Sequence, residues 1–389
     1  METTSINLSS VILDKETHTL RIPPRKEEDQ QFNYKELFDY TTLFADIFFL
    51  ADGRVELLGP PLLNLESILK KGNLSIDGKN YHDELNITSE HRKCRILLPK
   101  IQNIHKKKLV LEYEGTCFER EIQPNQCDFF KDCNVLVTQQ RDNPLEWIGY
   151  WIAHHAKHHE TDAVLIYDNG STLYTLKELE KLVCSVKGIK KVCIVNWLIP
   201  YGVTGGDKSI WDSDFGQYQS WEHAMARFCA DANTVIIGDV DELIVHEQGI
   251  SIPQLLAYID EPVVAYRRRQ IEEVLSLPKY TDLPRMHCHT HLYQAQKMPW
   301  AAKYAINPKK VKAGTHFRVH DVLGDKMYTD EKLLGRHFGA LRIHWRVGSF
   351  EPIPMKTKEE YKTELTEDIP LKQSFQDVDL SWLSFFRQS

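Results

Sequence analysis

Short apolar runs alternate with segments of helical spacing through the middle of the chain. The runs "NVLVTQQ", "AVLIYDNGS", "KKVCIVNW" and "NTVIIGDVDE" have the length and the β-branched content of buried strands. The helical segments between them are "RDNPLEWIGYWIAHHAKHH", "TLKELEKLVCSV" and "SWEHAMARFCADA". This alternation predicts βαβ units, and hence an α/β fold in which a mostly parallel, Rossmann-like sheet has helices on both faces.

The N-terminal third of the chain has a different pattern. Runs such as "ADIFFLADGRVELLG" and "KLVLEYEGTCFEREI" are separated by Gly, Pro and Asn, which is typical of strands joined by turns. Asp52-Gly53 is expected at the turn of a hairpin. We therefore predict a β-rich, sandwich-like module at 1–130, an α/β domain at 131–350 and a helical tail at 351–389.

The polar residues of the α/β segment gather where the predicted strands end. They are Thr138, Arg141 and Asp142 after the first strand, Asp168 and Asn169 after the second, and Asp239, Asp241 and Glu242 after the fourth. Open parallel sheets bind ligands outside the carboxyl ends of their strands. These side chains are therefore the first candidates for contacts with a ligand.

The negative charges of the acids of "GDVDE" need a compensating partner, because burying a carboxylate costs free energy unless an opposite charge accompanies it. A spacing of two residues places Asp239 and Asp241 on one side of an extended backbone. Two carboxylates in that position can share a hard divalent cation such as Mg²⁺ or Mn²⁺, which takes oxygen ligands. The alternative is a capped strand end with a surface salt bridge, since Asp-x-Asp is a common tripeptide.

Composition and charge narrow the classes of function. The chain has 389 residues, with 48 Lys and Arg against 55 Asp and Glu, and a net charge of −7. This balance excludes a generally basic nucleic-acid binder, although the runs Lys106–Lys108 and Arg267–Arg269 could contact anions. The eight Cys show no CxxC spacing, and no window reaches 18 uncharged apolar residues. With no signal-peptide pattern at the start, we expect reduced thiols and a cytoplasmic location.

Four segments occur in an informative order: "LEWIGYW…AVLIYDNGS", "QYQSWEHAMARFCADANTVIIGDVDELIV", "KYAINPKKVKAGTHF" and "LRIHWRVGS". In this order they resemble GT-A-fold glycosyltransferases, most closely glycosyltransferase family ninety-two and bacterial relatives of family two. The resemblance covers about residues 134–350. It implies a metal-dependent, inverting transferase that takes a hexose from a nucleotide sugar, expected to be a UDP-sugar. The acceptor would be a hydroxyl of a glycan or glycolipid in bacterial surface-polysaccharide synthesis.

The resemblance also implies roles for individual residues. Asp239 and Asp241 would bind Mn²⁺ or Mg²⁺ together with His316. His316 stands where the family has a metal-binding histidine towards the C-terminal end of the domain. The residues implied in binding the nucleotide sugar are Thr138, Arg141, Asp168, Asn169, Asp239, His344 and Arg346, with Lys356 as a weaker candidate. Other histidines are expected to be structural: His154, His155, His158, His159, His287, His289 and His291.

An inverting transferase needs a carboxylate that takes the proton of the acceptor hydroxyl. The segment "YRRRQIEEVLSLPKYTD" stands where the resemblance places the acceptor side of the site. It contains Glu272, Glu273 and Asp282, of which Glu273 is the preferred catalytic base. Two other classes of function stay open, a metal-dependent nucleotidyltransferase and a non-catalytic carbohydrate-binding protein. The first would place Gly170-Ser171 shortly before the acids, but Asp239 lies far along the chain.

The expected partners are a nucleotide-sugar donor and a glycan or glycolipid acceptor, with no nucleic acid. The C-terminal segment "DLSWLSFFRQS" groups three aromatic residues. It predicts either a docked terminal helix or a peripheral contact with the inner face of a membrane, where lipid-linked acceptors lie.

Overall fold

The structure is a computed structural model that describes residues 1–90, 92–102, 104–272, 274, 285–341, 360–361 and 363–387. The chain forms two compact units. The larger unit contains Met1–Ile6, Phe129–Asn196 and Cys229–Ser389, and the smaller contains Asn7–Asp128 and Trp197–Phe228. The chain thus changes unit after residues 6, 128, 196 and 228, and 197–228 belongs to the same unit as 7–128.

The secondary structure comprises 23 strands and seven α-helices within the described residues. The first strands are β1 (Glu2–Asn7), β2 (Val11–Ile12), β3 (Thr42–Phe44), β4 (Asp46–Phe49), β5 (Val55–Gly59), β6 (Asn73–Ile76), β7 (Lys79–Asn80), β8 (Asn86–Glu90), β9 (Lys93–Leu98), β10 (Lys108–Tyr113) and β11 (Thr116–Glu121). The later strands are β12 (Asn134–Gln140), β13 (Ala163–Asp168), β14 (Lys191–Asn196), β15 (Thr234–Ile237), β16 (Glu242–His246), β17 (Val263–Ile271), β18 (Leu292–Gln294), β19 (Trp300–Ile306), β20 (His316–Phe317), β21 (Val322–Leu323), β22 (Met327–Phe338) and β23 (Leu365–Glu367).

The α-helices are α1 (Tyr34–Leu37), α2 (Glu66–Lys71), α3 (Leu145–His159), α4 (Leu176–Ser185), α5 (Gly216–His223), α6 (Ile252–Tyr258) and α7 (Ile369–Ser374). A π-helical turn, Ala224–Cys229, continues α5. Short 3₁₀ segments include His287–His289 and Ser381–Arg387.

The larger unit is built on a nine-stranded sheet with the order β1-β14-β13-β12-β15-β19-β17-β22-β16. Strands β12 to β15 pair in parallel, as the βαβ pattern predicts. Strand β19 pairs antiparallel with β15 and β17, and β16 pairs antiparallel with β22. Parallel pairing needs long crossover connections, usually helices. After β15 most connections within the described residues are short, and this half of the sheet is therefore mixed.

The parallel strands are apolar on both faces. Strand β13 is buried along its whole length, and β12 is buried except at its first residue. This pattern is typical of a central parallel sheet that is covered on both sides. Helix α4 begins with a capping box, in which the side chains of Thr175 and Glu178 each bond the other's backbone N–H.

The smaller unit contains two four-stranded antiparallel sheets, β4-β5-β9-β8 and β11-β10-β6-β7. Buried side chains from both sheets, among them Phe49, Leu57, Leu74 and Leu111, belong to one hydrophobic core. The hairpin predicted at Asp52-Gly53 joins β4 to β5, and Gly53 has the positive φ of 86° that favours glycine there. The β-rich module therefore has the two-layered arrangement that the sequence indicates.

The C-terminal segment is held by one large aromatic side chain. Trp382 is 1% exposed, and a Cβ on Gly149 of α3 would lie 2.5 Å from its indole ring. A glycine in the helix is what lets the ring approach so closely. Among the described residues, no helix has both the length and the apolar character needed to cross a membrane. The predicted peripheral membrane contact stays a prediction, with Trp382 itself packed inside the protein.

Three of the four histidines of α3, His154, His155 and His159, are buried and bonded to neutral partners. His155 donates to the carbonyl of Trp151, and His159 donates through Nε2 to Ile244 while its Nδ1 accepts from the Ile252 N–H. Burial lowers the pKa of His155 to about 3 and that of His159 well below its ordinary value. They are therefore neutral core residues at pH 7, as expected.

Candidate metal centre and ligand crevice

The direction of winding reverses between β12 and β15. From β12 the chain adds β13 and then β14 on one side, and it returns to place β15 on the other side of β12. Such a reversal leaves a crevice outside the carboxyl ends of the two strands, which is where open α/β sheets bind ligands. The acids of "GDVDE" follow β15 directly and so lie at this crevice.

A short loop, residues 238–241, carries the acids from β15 into β16. The N–H of Gly238 donates to Val137 of β12 at 3.1 Å, and the N–H of Glu242 donates to the carbonyl of Asp239 at 3.0 Å. The buried ring of His287 donates to the carbonyl of Val240 at 2.8 Å. The loop is thus fixed from both sides, and its side chains have defined positions.

Three side chains near this loop form a candidate metal centre. One ligand atom from each of Asp241, Glu242 and His337 lies within 4.8 Å of the others, and no other such group occurs among the described residues. His337 is brought there by β22, in which it stands directly opposite Glu242 of β16. Nε2 of His337 lies 3.5 Å from Oδ2 of Asp241. Its Nδ1 lies 3.0 Å from Oε1 of Gln270, which holds the ring in place.

Glu242 is the most buried of the three, at 1% exposure. Burial alone favours its protonated form, but Lys303 and Arg268 outweigh it and hold the pKa of Glu242 below its ordinary value. Arg268 donates to Oε1 at 2.5 Å. The second oxygen, Oε2, is buried and has no hydrogen-bond partner among the described residues. An ionised, orphaned carboxylate oxygen within a group of oxygen and nitrogen ligands fits a divalent cation.

Asp239 has a different environment from Asp241. Nζ of Lys303 lies 3.2 Å from Oδ2 of Asp239, and the Lys303 side chain is 1% exposed. Lys303 lies on β19, which pairs with β15 and therefore runs past the acid loop. The salt bridge anticipated as an alternative is present here, although its cation, Lys303, is buried and Asp239 is partly buried. Asp239 as a metal ligand stays a prediction.

The loops after β12 and β13 are tied together by two acids. Asp168 is 1% exposed, and it accepts from Gln140 at 2.5 Å, from the hydroxyl of Ser171 at 2.6 Å and from the N–H of Ser171 at 2.9 Å. Burial raises the pKa of Asp168 above its ordinary value. Asp142, with a positive φ of 54°, accepts from the N–H groups of Thr172 and Leu173. Both acids thus shape the edge of the crevice.

Three further residues expected to bind the nucleotide differ from one another in burial and in their contacts. Thr138 is fully buried in β12, and its hydroxyl has no hydrogen-bond partner among the described residues. Arg141 is partly exposed, with its Nε 3.7 Å from Oδ2 of Asp142, and Asn169 is 9% exposed beside Asp168. Their contacts with a nucleotide stay predictions.

His316 lies on β20, in a two-stranded pairing with β21, and does not belong to the group of Asp241, Glu242 and His337. Its role as a ligand stays a prediction. Five of the residues named from the sequence lie outside the described residues: Glu273, Asp282, His344, Arg346 and Lys356.

Four residues of the site received no specific role from the sequence. Glu242 was visible in "GDVDE" but had no assigned role, and Lys303 begins the quoted segment "KYAINPKK". Arg268 belongs to the basic run that was noted as a possible anion contact. His337 had no usable signal, because only the register of β22 against β16 reveals its neighbours.

No protein-family model matches the chain, and no curated protein matches it. Among solved structures, it is similar to the apo form of WbbM, a bifunctional glycosyltransferase, with 11% identity and a TM-score of 0.29. The matched region covers 49% of this chain and 34% of the WbbM chain. A likeness this weak does not extend to activity, so the functional argument depends on the site itself.

Proposed function

We propose that the protein is a metal-dependent, inverting glycosyltransferase that transfers a hexose from a UDP-sugar to a hydroxyl of a glycan or glycolipid. The observation that carries this proposal is the group of Asp241, Glu242 and His337 beside the point where the sheet reverses its winding. A carboxylate-rich centre at that edge suits a ligand that brings its own phosphates to a cation. The family resemblance of the sequence supplies the transfer chemistry and the expected place in bacterial surface-polysaccharide synthesis.

The metal would be Mn²⁺ or Mg²⁺, held by Asp241, Glu242 and His337. When bound, it would neutralise the charge of the nucleoside diphosphate as that group leaves. The chain itself brings two positively charged side chains to the same place, the partly buried Arg268 beside Glu242 and the buried Lys303 beside Asp239. They favour the ionised acids and add positive charge near the leaving group.

The nucleoside would lie over the loops after β12 and β13. Asp142 and Asp168 hold these loops through bonds to backbone N–H groups, and Arg141 and Asn169 lie next to them. Ser171 is engaged with Asp168 rather than presented to a phosphate. That engagement weighs against the nucleotidyltransferase alternative, which would use Gly170-Ser171 as a phosphate contact.

The acceptor hydroxyl would attack the anomeric carbon from the side opposite the diphosphate. The new C–O bond forms as the bond to the diphosphate breaks, and a carboxylate takes the hydroxyl proton. Of the three candidate bases, Glu272 lies among the described residues. It lies directly after β17, in an isolated bridge with Leu292, and two positions beyond Gln270, whose side chain contacts His337. This closeness along the chain makes Glu272 the described candidate for the base, and Glu273 stays a prediction.

The test is a screen of UDP-, GDP- and CMP-sugars for hydrolysis by the full chain with Mn²⁺, Mg²⁺ or a chelator. We expect metal-dependent release of UDP from at least one UDP-hexose. Asp241→Asn should abolish this release while leaving the circular dichroism spectrum unchanged. Release of pyrophosphate from nucleoside triphosphates would favour a nucleotidyltransferase. Binding of sugars without turnover of any donor would favour a carbohydrate-binding protein.

A further inference from the structure

Two of the tryptophans stand apart in their exposure. Of the seven that the structure describes, five are at most 4% exposed, whereas Trp211 is 50% exposed and Trp300 is 37% exposed. A large aromatic side chain that remains in water forgoes the stabilisation of burial. An exposed aromatic surface next to a polar centre is therefore a candidate for contact with a ligand. Trp211 belongs to the smaller unit, while Trp300 lies in the larger unit with the candidate metal centre.

Trp300 stands directly against the candidate metal centre. It is the first residue of β19 and pairs with Arg268 of β17, the residue that binds Glu242. The centroid of its ring lies 5.8 Å from that of His337, with the two planes at 73°. The guanidinium carbon of Arg268 lies 5.9 Å from the ring centroid. The indole is thus anchored by two groups of the site and still exposes part of its surface.

We propose that Trp300 is the binding platform for the hexose ring of the nucleotide-sugar donor, an inference that rests on the function proposed above. The polarised C–H bonds on one face of a pyranose carry partial positive charge, and they meet the negative face of an aromatic ring favourably. In a nucleotide sugar the hexose is bonded directly to the diphosphate. A diphosphate at the group of Asp241, Glu242 and His337 therefore brings the hexose within reach of a ring that contacts His337.

The hexose is a better occupant than the uracil base. In a UDP-sugar the base is separated from the metal-bound phosphates by the ribose, whereas the hexose is their immediate neighbour. The loops expected to hold the nucleoside follow β12 and β13, and β15 separates these strands from β19, which carries Trp300. The two ends of the donor thus correspond to two different parts of the sheet edge.

The test compares two ligands by calorimetry on the full chain in the presence of Mn²⁺: UDP, and the UDP-hexose that the donor screen identifies. UDP-glucose is used if the screen shows no turnover. For Trp300→Ala we expect about a tenfold loss of affinity for the UDP-hexose, the size of one good aromatic contact, and a change of less than about twofold for UDP. Trp300→Phe should recover most of the lost affinity, because it restores an aromatic face. Trp211→Ala is the matched control and should change neither affinity.

Three other outcomes would overturn the inference. Equal loss of affinity for UDP and for the UDP-hexose in Trp300→Ala would show that the side chain supports the metal centre instead. Unchanged affinity for both ligands would show that the hexose lies elsewhere. If the wild-type chain binds neither UDP nor any UDP-hexose with Mn²⁺, the function proposed above fails, and this inference fails with it. Circular dichroism and thermal unfolding of each variant separate these outcomes from misfolding.

Discussion

Asp241 lies in the loop before β16 and His337 lies on β22, yet Nε2 of the imidazole is 3.5 Å from Oδ2 of the carboxylate. The register of β22 against β16 enforces this, because His337 stands opposite Glu242 and the N–H of the following residue, Phe338, donates to the carbonyl of Asp241 at 2.8 Å. The pairing of two antiparallel strands therefore assembles the centre. A slip of one residue in that register would turn His337 to the other face of the sheet.

Replacement of His337 should weaken metal binding more than replacement of His316. His337 lies in the only group of three candidate ligands among the described residues, and His316 does not belong to it. We expect His337→Ala to raise the dissociation constant for Mn²⁺ at least about tenfold, which is at the lower end for loss of a metal-site contact. His316→Ala should raise it by less than about twofold. Titration calorimetry with Mn²⁺ on both variants checks this, and the reverse order would support the ligand set inferred from the family resemblance.

Much of the fold was predictable from local patterns, and part of the site was not. The strands β12 to β15 have apolar central runs and alternate with helices, so their type and direction follow from the sequence. The acids of "GDVDE" were also visible, because they interrupt an apolar run. Lys303, Arg268 and His337 reach the site through antiparallel strands, whose neighbours depend on register. The placement of residues 197–228 with the N-terminal segment had no local signal, since it depends on buried ion pairs between distant residues.

The choice between Glu272 and Glu273 as catalytic base can be made by activity. Glu272 accepts from Lys297 at 3.0 Å and from Gln294 at 2.8 Å, so its carboxylate has a fixed position. We expect Glu272→Gln to reduce turnover of the donor by about 100-fold or more while leaving Mn²⁺-dependent binding of UDP unchanged. Glu272→Asp should retain part of the rate. Loss of turnover in Glu273→Gln, with normal rates in Glu272→Gln, would instead confirm the residue preferred from the sequence.

The buried histidines of α3 should make the protein sensitive to mild acid. Burial lowers the pKa of His155 to about 3 and lowers those of His154 and His159 well below the ordinary value of 6.5. In the unfolded chain these groups take up protons as the pH falls below 6.5, whereas in the folded chain they do not. The free energy of unfolding should therefore be greatest above pH 6.5 and fall as the pH is lowered towards 3.

The expected size of this effect is about 1 kcal/mol for each of the three histidines between pH 7.5 and pH 5.5. Urea unfolding curves at a series of pH values measure it directly. His155→Gln, which keeps a hydrogen-bond donor for the carbonyl of Trp151, should show a shallower decline over the same range. A free energy of unfolding that is constant from pH 7.5 to pH 5.5 would contradict the neutral, buried state of these side chains.

Asp46 should be essential to the stability of the smaller unit. Its carboxylate is fully buried, and it accepts from Arg227 at 2.5 Å, from His223 at 2.8 Å and from the N–H of Ser9 at 2.7 Å. Burial opposes ionisation, but the charge of Arg227 and the bond with His223 hold the pKa of Asp46 below its ordinary value. Asp46 is thus one of the links between the N-terminal strands and the segment 197–228 within this unit, and the pair of Arg95 with Glu222 is another.

Asp46→Ala would leave the guanidinium of Arg227 buried without its counter-charge, and we expect the free energy of unfolding to fall by about 3–5 kcal/mol. Urea unfolding followed by circular dichroism measures this loss. Glu27→Ala is the matched control, because Glu27 forms an ion pair with Lys35 in which both side chains are exposed; such pairs add little to stability, so no measurable change is expected. A double variant, Asp46→Ala with Arg227→Met, removes both charges and should recover part of the loss, since an apolar pair does not require ionic compensation. If the double variant were as unstable as the sum of its two single variants, Asp46 and Arg227 would not be energetically coupled, and the loss in Asp46→Ala would not come from their ion pair.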